Sequence, residues 1–144
     1  MNDDQKWFRV SLRLAGETLD PHRVEELLGL ETSTLGIKGC ARLGKNGRRY
    51  APYETNLWVH KQNLGSDVCF NEQIEALFEA LADRTEELRK LCHTEGIEGE
   101  LFCGFSSRNG QGGDSISPGN LRRVAEAGLF LTLDLYPPCL DSGD

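Results

Sequence analysis

The sequence predicts an α+β domain, a single mostly antiparallel sheet of about five strands with helices packed on one face. Three patterns carry that expectation. Apolar residues alternate along Phe8, Val10, Leu12 and Leu14, and again along Leu129, Leu131, Leu133 and Leu135, which is the period of strands with one buried face. Apolar residues recur at helical spacing from Ile74 to Cys92. The segments after Asp20 and Ser117 both open with proline, as helices do.

Each element follows from local chemistry. In the first strand, Trp7, Arg9, Ser11 and Arg13 take the face opposite Phe8 and its alternates, and Gly16-Glu17 ends the run. At Asp20-Pro21 the Asp side chain accepts an orphan amide, and the proline has no N–H to lose. Val24, Leu27 and Leu28 follow on one side, and Gly29 stops the helix. Leu35 and Ile37 fit a short strand, and Asn46-Gly47 is a turn signal. A hairpin is therefore expected over about 35–60, with Glu54 to His60 as the return strand. Ile74, Leu77, Phe78, Leu81, Leu88, Leu91 and Cys92 give either one long helix over about 71–93 or two helices broken near Asp83. Asp83 with Glu86 fits a capping box. Leu101, Cys103 and Phe105 mark another strand, and residues 107–116 a polar, glycine-rich loop. Ser117-Pro118 repeats the first helix start. Pro137-Pro138 ends the last strand, since proline cannot donate to a ladder.

The resulting order, β-α-β-β-α-β-α-β, is ferredoxin-like, a split β-α-β arrangement with one added helix and strand. The length of 144 residues suits a single domain, with an ordered core over about 7–136 and a loose tail over 139–144. Phe8, Val10, Leu12, Leu131 and Leu133 are expected to be buried on one sheet face, against Leu27, Leu28, Leu77, Phe78 and Leu121 from the helices. Val24, Leu27 and Leu28 follow Pro21 at the same offsets as Leu121, Val124 and Ala125 follow Pro118. Either an internal duplication or the turn common to amphipathic helices accounts for that match.

Four features, in this order and spacing, resemble the family catalogued as domain of unknown function 4279. They are the opening strand Trp7 to Leu14, the Leu19-Asp20-Pro21 helix start running into Leu28-Gly29-Leu30, Trp58, and the Ser117-Pro118 helix leading to Leu133-Asp134-Leu135-Tyr136. The resemblance spans Trp7 to Tyr136. It implies a fold and carries no activity, catalytic residue or cofactor with it.

Composition and motifs exclude several functions. A net charge of −7 argues against general nucleic-acid binding. No apolar run is long enough to span a membrane, and the polar start Met1 to Lys6 is not a secretory signal, so a cytoplasmic protein is expected. The five cysteines, Cys40, Cys69, Cys92, Cys103 and Cys139, are odd in number and contain no C-x-x-C pair, which predicts free thiols. His22, His60 and His93 fall on separate elements without ligand spacing. Phosphate-loop, dinucleotide, metalloprotease and nucleophile-elbow motifs are absent. No catalytic residue, metal or cofactor is therefore expected. A Cys69 pair with His60 or His93 is the one nucleophile the fold would have to assemble in space.

Charge distribution is the strongest functional signal. Residues 32–53 contain no acid and five bases, Lys38, Arg42, Lys45, Arg48 and Arg49. Residues 67–100 carry ten acids against three bases. Such runs are commonly solvated faces; they also steer charged partners. The leading expectation is a non-catalytic interaction module, of an immunity or regulatory type, that binds a protein through Glu72, Glu75, Glu79 and Glu86. The alternative is a small-molecule or anion-binding domain that uses the basic loop 38–49 with the glycine loop 107–113. A groove lined by Trp58, Asp134 and Tyr136 is a further possibility if the outer sheet face is concave.

Overall fold

In the computed structural model, which describes residues 6–44 and 47–136, the first strand is the axis of the molecule. Strand β1 (Lys6–Ala15) pairs antiparallel with β5 (Leu57–Lys61) on one side and with β6 (Glu98–Ser107) on the other. Beyond β5 lies the short edge strand β2 (Thr34–Gly36), antiparallel to it; beyond β6 lies β7 (Phe130–Leu135), parallel to it. The five-stranded sheet thus has the order β2-β5-β1-β6-β7, three antiparallel pairings and one parallel. β1 and β2 run parallel with β5 between them, and β5 and β6 run parallel with β1 between them. Each helical connection in that part of the chain therefore steps over one strand. The expected hairpin over 35–60 is the β2–β5 pair, and its long excursion carries a second small hairpin, β3 (Arg42–Leu43) with β4 (Arg49–Tyr50). Lys45, Cys139 and the tail 139–144 lie outside the described residues.

Helix α1 (Pro21–Leu28) starts as its sequence dictates: the Asp20 carboxylate accepts the His22 N–H at 3.2 Å, and Gly29 ends the helix at φ 68°. Helix α4 (Pro118–Ala127) uses the same device, with Ser117 Oγ accepting the Asn120 N–H at 3.2 Å. The long apolar pattern is two helices, α2 (Phe70–Leu81) and α3 (Thr85–Cys92), separated by a 3-10 turn over Ala82–Arg84. The capping box does not form: Asp83 lies inside the turn, and Arg84 precedes α3 without a side-chain cap. Instead, the Arg84 guanidinium donates to the Glu26 carbonyl at 2.7 Å and ties the break to the end of α1.

Leu12, Leu14, Trp58 and Leu101 from the sheet pack with Val24, Leu28, Ile74, Leu77, Leu81 and Leu88 from the helices in one buried cluster. Five expected core residues depart from this. Phe8 and Leu27 are half-buried. Leu131 is half-buried, Leu133 is 56% exposed and Leu121 is 44% exposed. β7 is an edge strand, and α4 turns Asn120, Val124 and Ala127 inward. In α1 the inward residues are Pro21, Val24 and Leu28, so the two proline-started helices bury different offsets. Their shared spacing is that of ordinary amphipathic helices. No helix among the described residues is long and apolar enough to cross a membrane.

Candidate functional site

The acidic residues divide between two helices. Glu72, Glu75 and Glu79 project from α2, and Glu86 from α3. Only Glu79 and Glu86 converge. Together with Glu126 of α4 they line a cleft of about 410 Å³, where Phe78, Ala82 and Ala127 supply apolar surface. Arg89 and Arg123 also line it. Arg89 is engaged by Glu86 at 3.1 Å, and Arg123 donates to Asn120 Oδ1 at 3.1 Å. The cleft exists because the helix breaks. Ala82, which lines the cleft at the break between α2 and α3, adopts φ 48° and ψ −116°, the one non-glycine positive φ among the described residues. Part of the acidic charge also serves the helices: Glu72 sits in the first turn of α2, and Glu86 and Glu87 in that of α3, where carboxylates complement the N-terminal dipole. Sequence reasoning missed Glu126 and Arg123. Their helix approaches from about 40 residues further along the chain, and only the packing of α4 against the break reveals them.

The basic residues form no comparable site. Arg42, Arg48 and Arg49 are exposed on the β3–β4 hairpin, with Arg42 lying over Tyr53 and Tyr50 at 5.3 and 6.0 Å from the ring centres. Lys38 is drawn off by an ion pair with Glu17, whose carboxyl it holds below the usual range. The basic and glycine loops do not meet. Gly36, at the end of β2, falls in the row of Leu57, Ala15 and Glu98, whereas the glycine loop leaves the far end of β6 at Ser107. With strands rising about 3.3 Å per residue, β6 alone separates them by roughly 30 Å.

The proposed aromatic groove is divided by the sheet. Trp58 pairs in register with Leu14, so it points into the core, where it is fully buried and its indole N–H donates to Thr32 Oγ1 at 2.8 Å. Asp134 pairs with Gly104, on the opposite face. There Tyr136 packs against Trp7, ring centres 5.0 Å apart, and Arg9 stacks on Trp7 at 4.8 Å. The two rings pack over Gly104, where a Cβ would lie 3.3 Å from Trp7 and 3.4 Å from Tyr136. A hydrogen bond to the Asp134 carboxylate pushes the Tyr136 phenol up from its usual range.

No nucleophile is assembled among the described residues. Burial pushes the Cys92 thiol up to about 11 and the Cys103 thiol to about 12, the latter with a smaller contribution from Asp114. His60 is held between the Glu31 carbonyl at 2.6 Å and Gln62 Oε1 at 3.0 Å, and His93 Nδ1 by the Arg89 carbonyl at 2.8 Å; neither ring bonds a thiol. Among the described residues no group of three or more His, Cys, Asp or Glu is placed to hold a metal ion.

The glycine loop is better anchored than its composition implies. Asp114 caps α2, and Asn71 of α2 accepts the Ser117 N–H at 2.8 Å, joining the starts of α2 and α4. A family model described as Domain of unknown function (DUF4279) matches residues 5–138. No curated protein and no solved structure matches the chain.

Proposed function

The chain belongs to the DUF4279 family, and from that premise we propose that it is a non-catalytic interaction module that captures a basic segment of a protein partner on its acidic helical face. The observation that carries this reading is the convergence of Glu79, Glu86 and Glu126, from three separate helices, around the apolar floor of one cleft. A lysine or arginine is both an aliphatic stem and a charged head. Phe78 and Ala127 suit the stem, and the carboxylates suit the head. Glu79 and Glu126 have no ion-pair partner among the described residues, so their charge is available to a visitor. Glu72 and Glu75 of α2 and Glu87 of α3 add a field that draws a basic surface toward these helices. The absence of a membrane-spanning helix among the described residues and the free thiols of Cys40, Cys69, Cys92 and Cys103 are compatible with the cytoplasmic setting expected from the sequence.

The test is affinity capture from the native host with three baits: the wild-type chain, Glu79→Lys with Glu86→Lys, and Arg48→Glu with Arg49→Glu. A partner retained by the wild type and by the hairpin variant, and lost from the helix variant, supports the reading. A partner lost only from the hairpin variant assigns binding to the basic loop instead.

A further inference from the structure

We propose that the cleft between β7 and the glycine loop is a second binding site, for a small amphiphile with an extended apolar body and a carboxylate head. The cleft has a volume of about 650 Å³, within the range of small-molecule sites. Its apolar lining comes from Phe70, Phe105, Ile116, Leu131, Leu133 and Leu135. The three leucines share the sheet face that elsewhere forms the core, because Leu131 pairs with Leu101 and Leu133 with Cys103. Yet Leu133 is 56% and Leu135 is 70% exposed. No residue of α4 lines the cleft, so this end of β7 presents a core-type surface that α4 does not cover.

The opposite lining explains both the space and the polarity. Gly110, Gly112 and Gly113 line the cleft without side chains to fill it. A Cβ on Gly112 would fall 2.7 Å from Lys6 Cε and 2.9 Å from Lys6 Nζ, so the lysine lies along the loop at the rim. Among the described residues no carboxylate pairs with Lys6. The one acid in the lining, Asp114, is already engaged: its two oxygens accept the Phe70 N–H at 2.7 Å and the Ser115 N–H at 2.8 Å. Lys6 thus sets an ammonium without a carboxylate partner beside the Gly112 rim of an apolar interior, which favours an apolar chain ending in an anion. Its recessed shape, bounded by the loop, favours a small molecule over a flat protein surface.

The test is calorimetric titration of the full chain with decanoate and with 1-decanol. Saturable decanoate binding is expected. Lys6→Met should weaken decanoate at least tenfold, since it removes a charge-assisted contact, and should leave 1-decanol unchanged. Leu133→Asp should abolish binding of both; its exposure predicts an unaltered circular dichroism spectrum, which separates loss of the site from loss of the fold. The proposal is overturned if decanoate does not bind saturably, or if Lys6→Met binds it as the wild type does. A chain that is dimeric in solution and binds neither probe also overturns it, and assigns the exposed leucines to contact with a second copy.

Discussion

Asp114 closes the N-terminus of α2 from 44 positions away, its Oδ2 accepting the Phe70 N–H at 2.7 Å. Cys69, which precedes the helix, makes no side-chain cap of its own. A loop that composition marks as a free connection is thus pinned at its far end, and the pin fixes the apolar cleft and the start of the acidic helix together.

Replacing Asp114 with Ala should lower stability by about 1 kcal/mol, the usual value of an N-cap. Asp114→Asn retains an acceptor and should recover most of that loss. Urea denaturation of the three proteins measures both differences, and equal midpoints would remove the cap from the account.

Leu12 and Leu133 lie on the same face of the sheet and should behave oppositely. Leu12 is fully buried, so Leu12→Ala should cost about 2–5 kcal/mol. Leu133 is 56% exposed, so Leu133→Ala should cost less than about 0.5 kcal/mol. The denaturation midpoints compare them directly.

Ala82 holds φ 48°, a region that disfavours any side chain. Ala82→Gly should therefore stabilise the protein by about 0.5–1 kcal/mol, in contrast to glycine elsewhere in a helical segment. Differential scanning calorimetry should show a higher midpoint. A lower one would mean that the break is not strained.

The buried thiols set an alkaline limit. From an ordinary value of 9.0, burial raises Cys92 to about 11 and Cys103 to about 12, so the folded state holds these protons more tightly than the unfolded chain. Their contribution to stability is complete below pH 9 and falls as pH rises toward 12. At pH 8, iodoacetamide should modify exposed Cys40 well before Cys92 or Cys103. Peptide mapping during alkylation tests the order.

Much of the fold was legible because its signals are local. Period-two alternation places Val10, Leu12 and Leu14 on one face without knowledge of the rest of the chain, and Asp20-Pro21 and Ser117-Pro118 carry their helix starts within a few residues. What alternation does not contain is whether a face is covered. Leu133 alternates as cleanly as Leu12, yet α4 buries Val124 and Ala127 and leaves Leu133 exposed. Strand phase alone does not relate one strand to another, so the sequence leaves Trp58 free to share a groove with Asp134 and Tyr136; its pairing with Leu14 turns it into the core instead. The candidate site was half legible for the same reason. Charge density singled out Glu79 and Glu86, whereas Glu126 joins them only through the packing of α4 against a backbone break.

The most direct measurement of the central claim is the association rate of the captured partner with the wild-type chain and with the Glu79→Lys, Glu86→Lys variant, across a salt series. Exposed charges contribute little to stability, so the variant should remain folded. If the acidic cleft receives a basic segment, the wild-type rate should fall steeply as salt rises, and the variant should associate at least tenfold more slowly at low salt with a flattened dependence. Equal rates and equal salt slopes for the two proteins would contradict it.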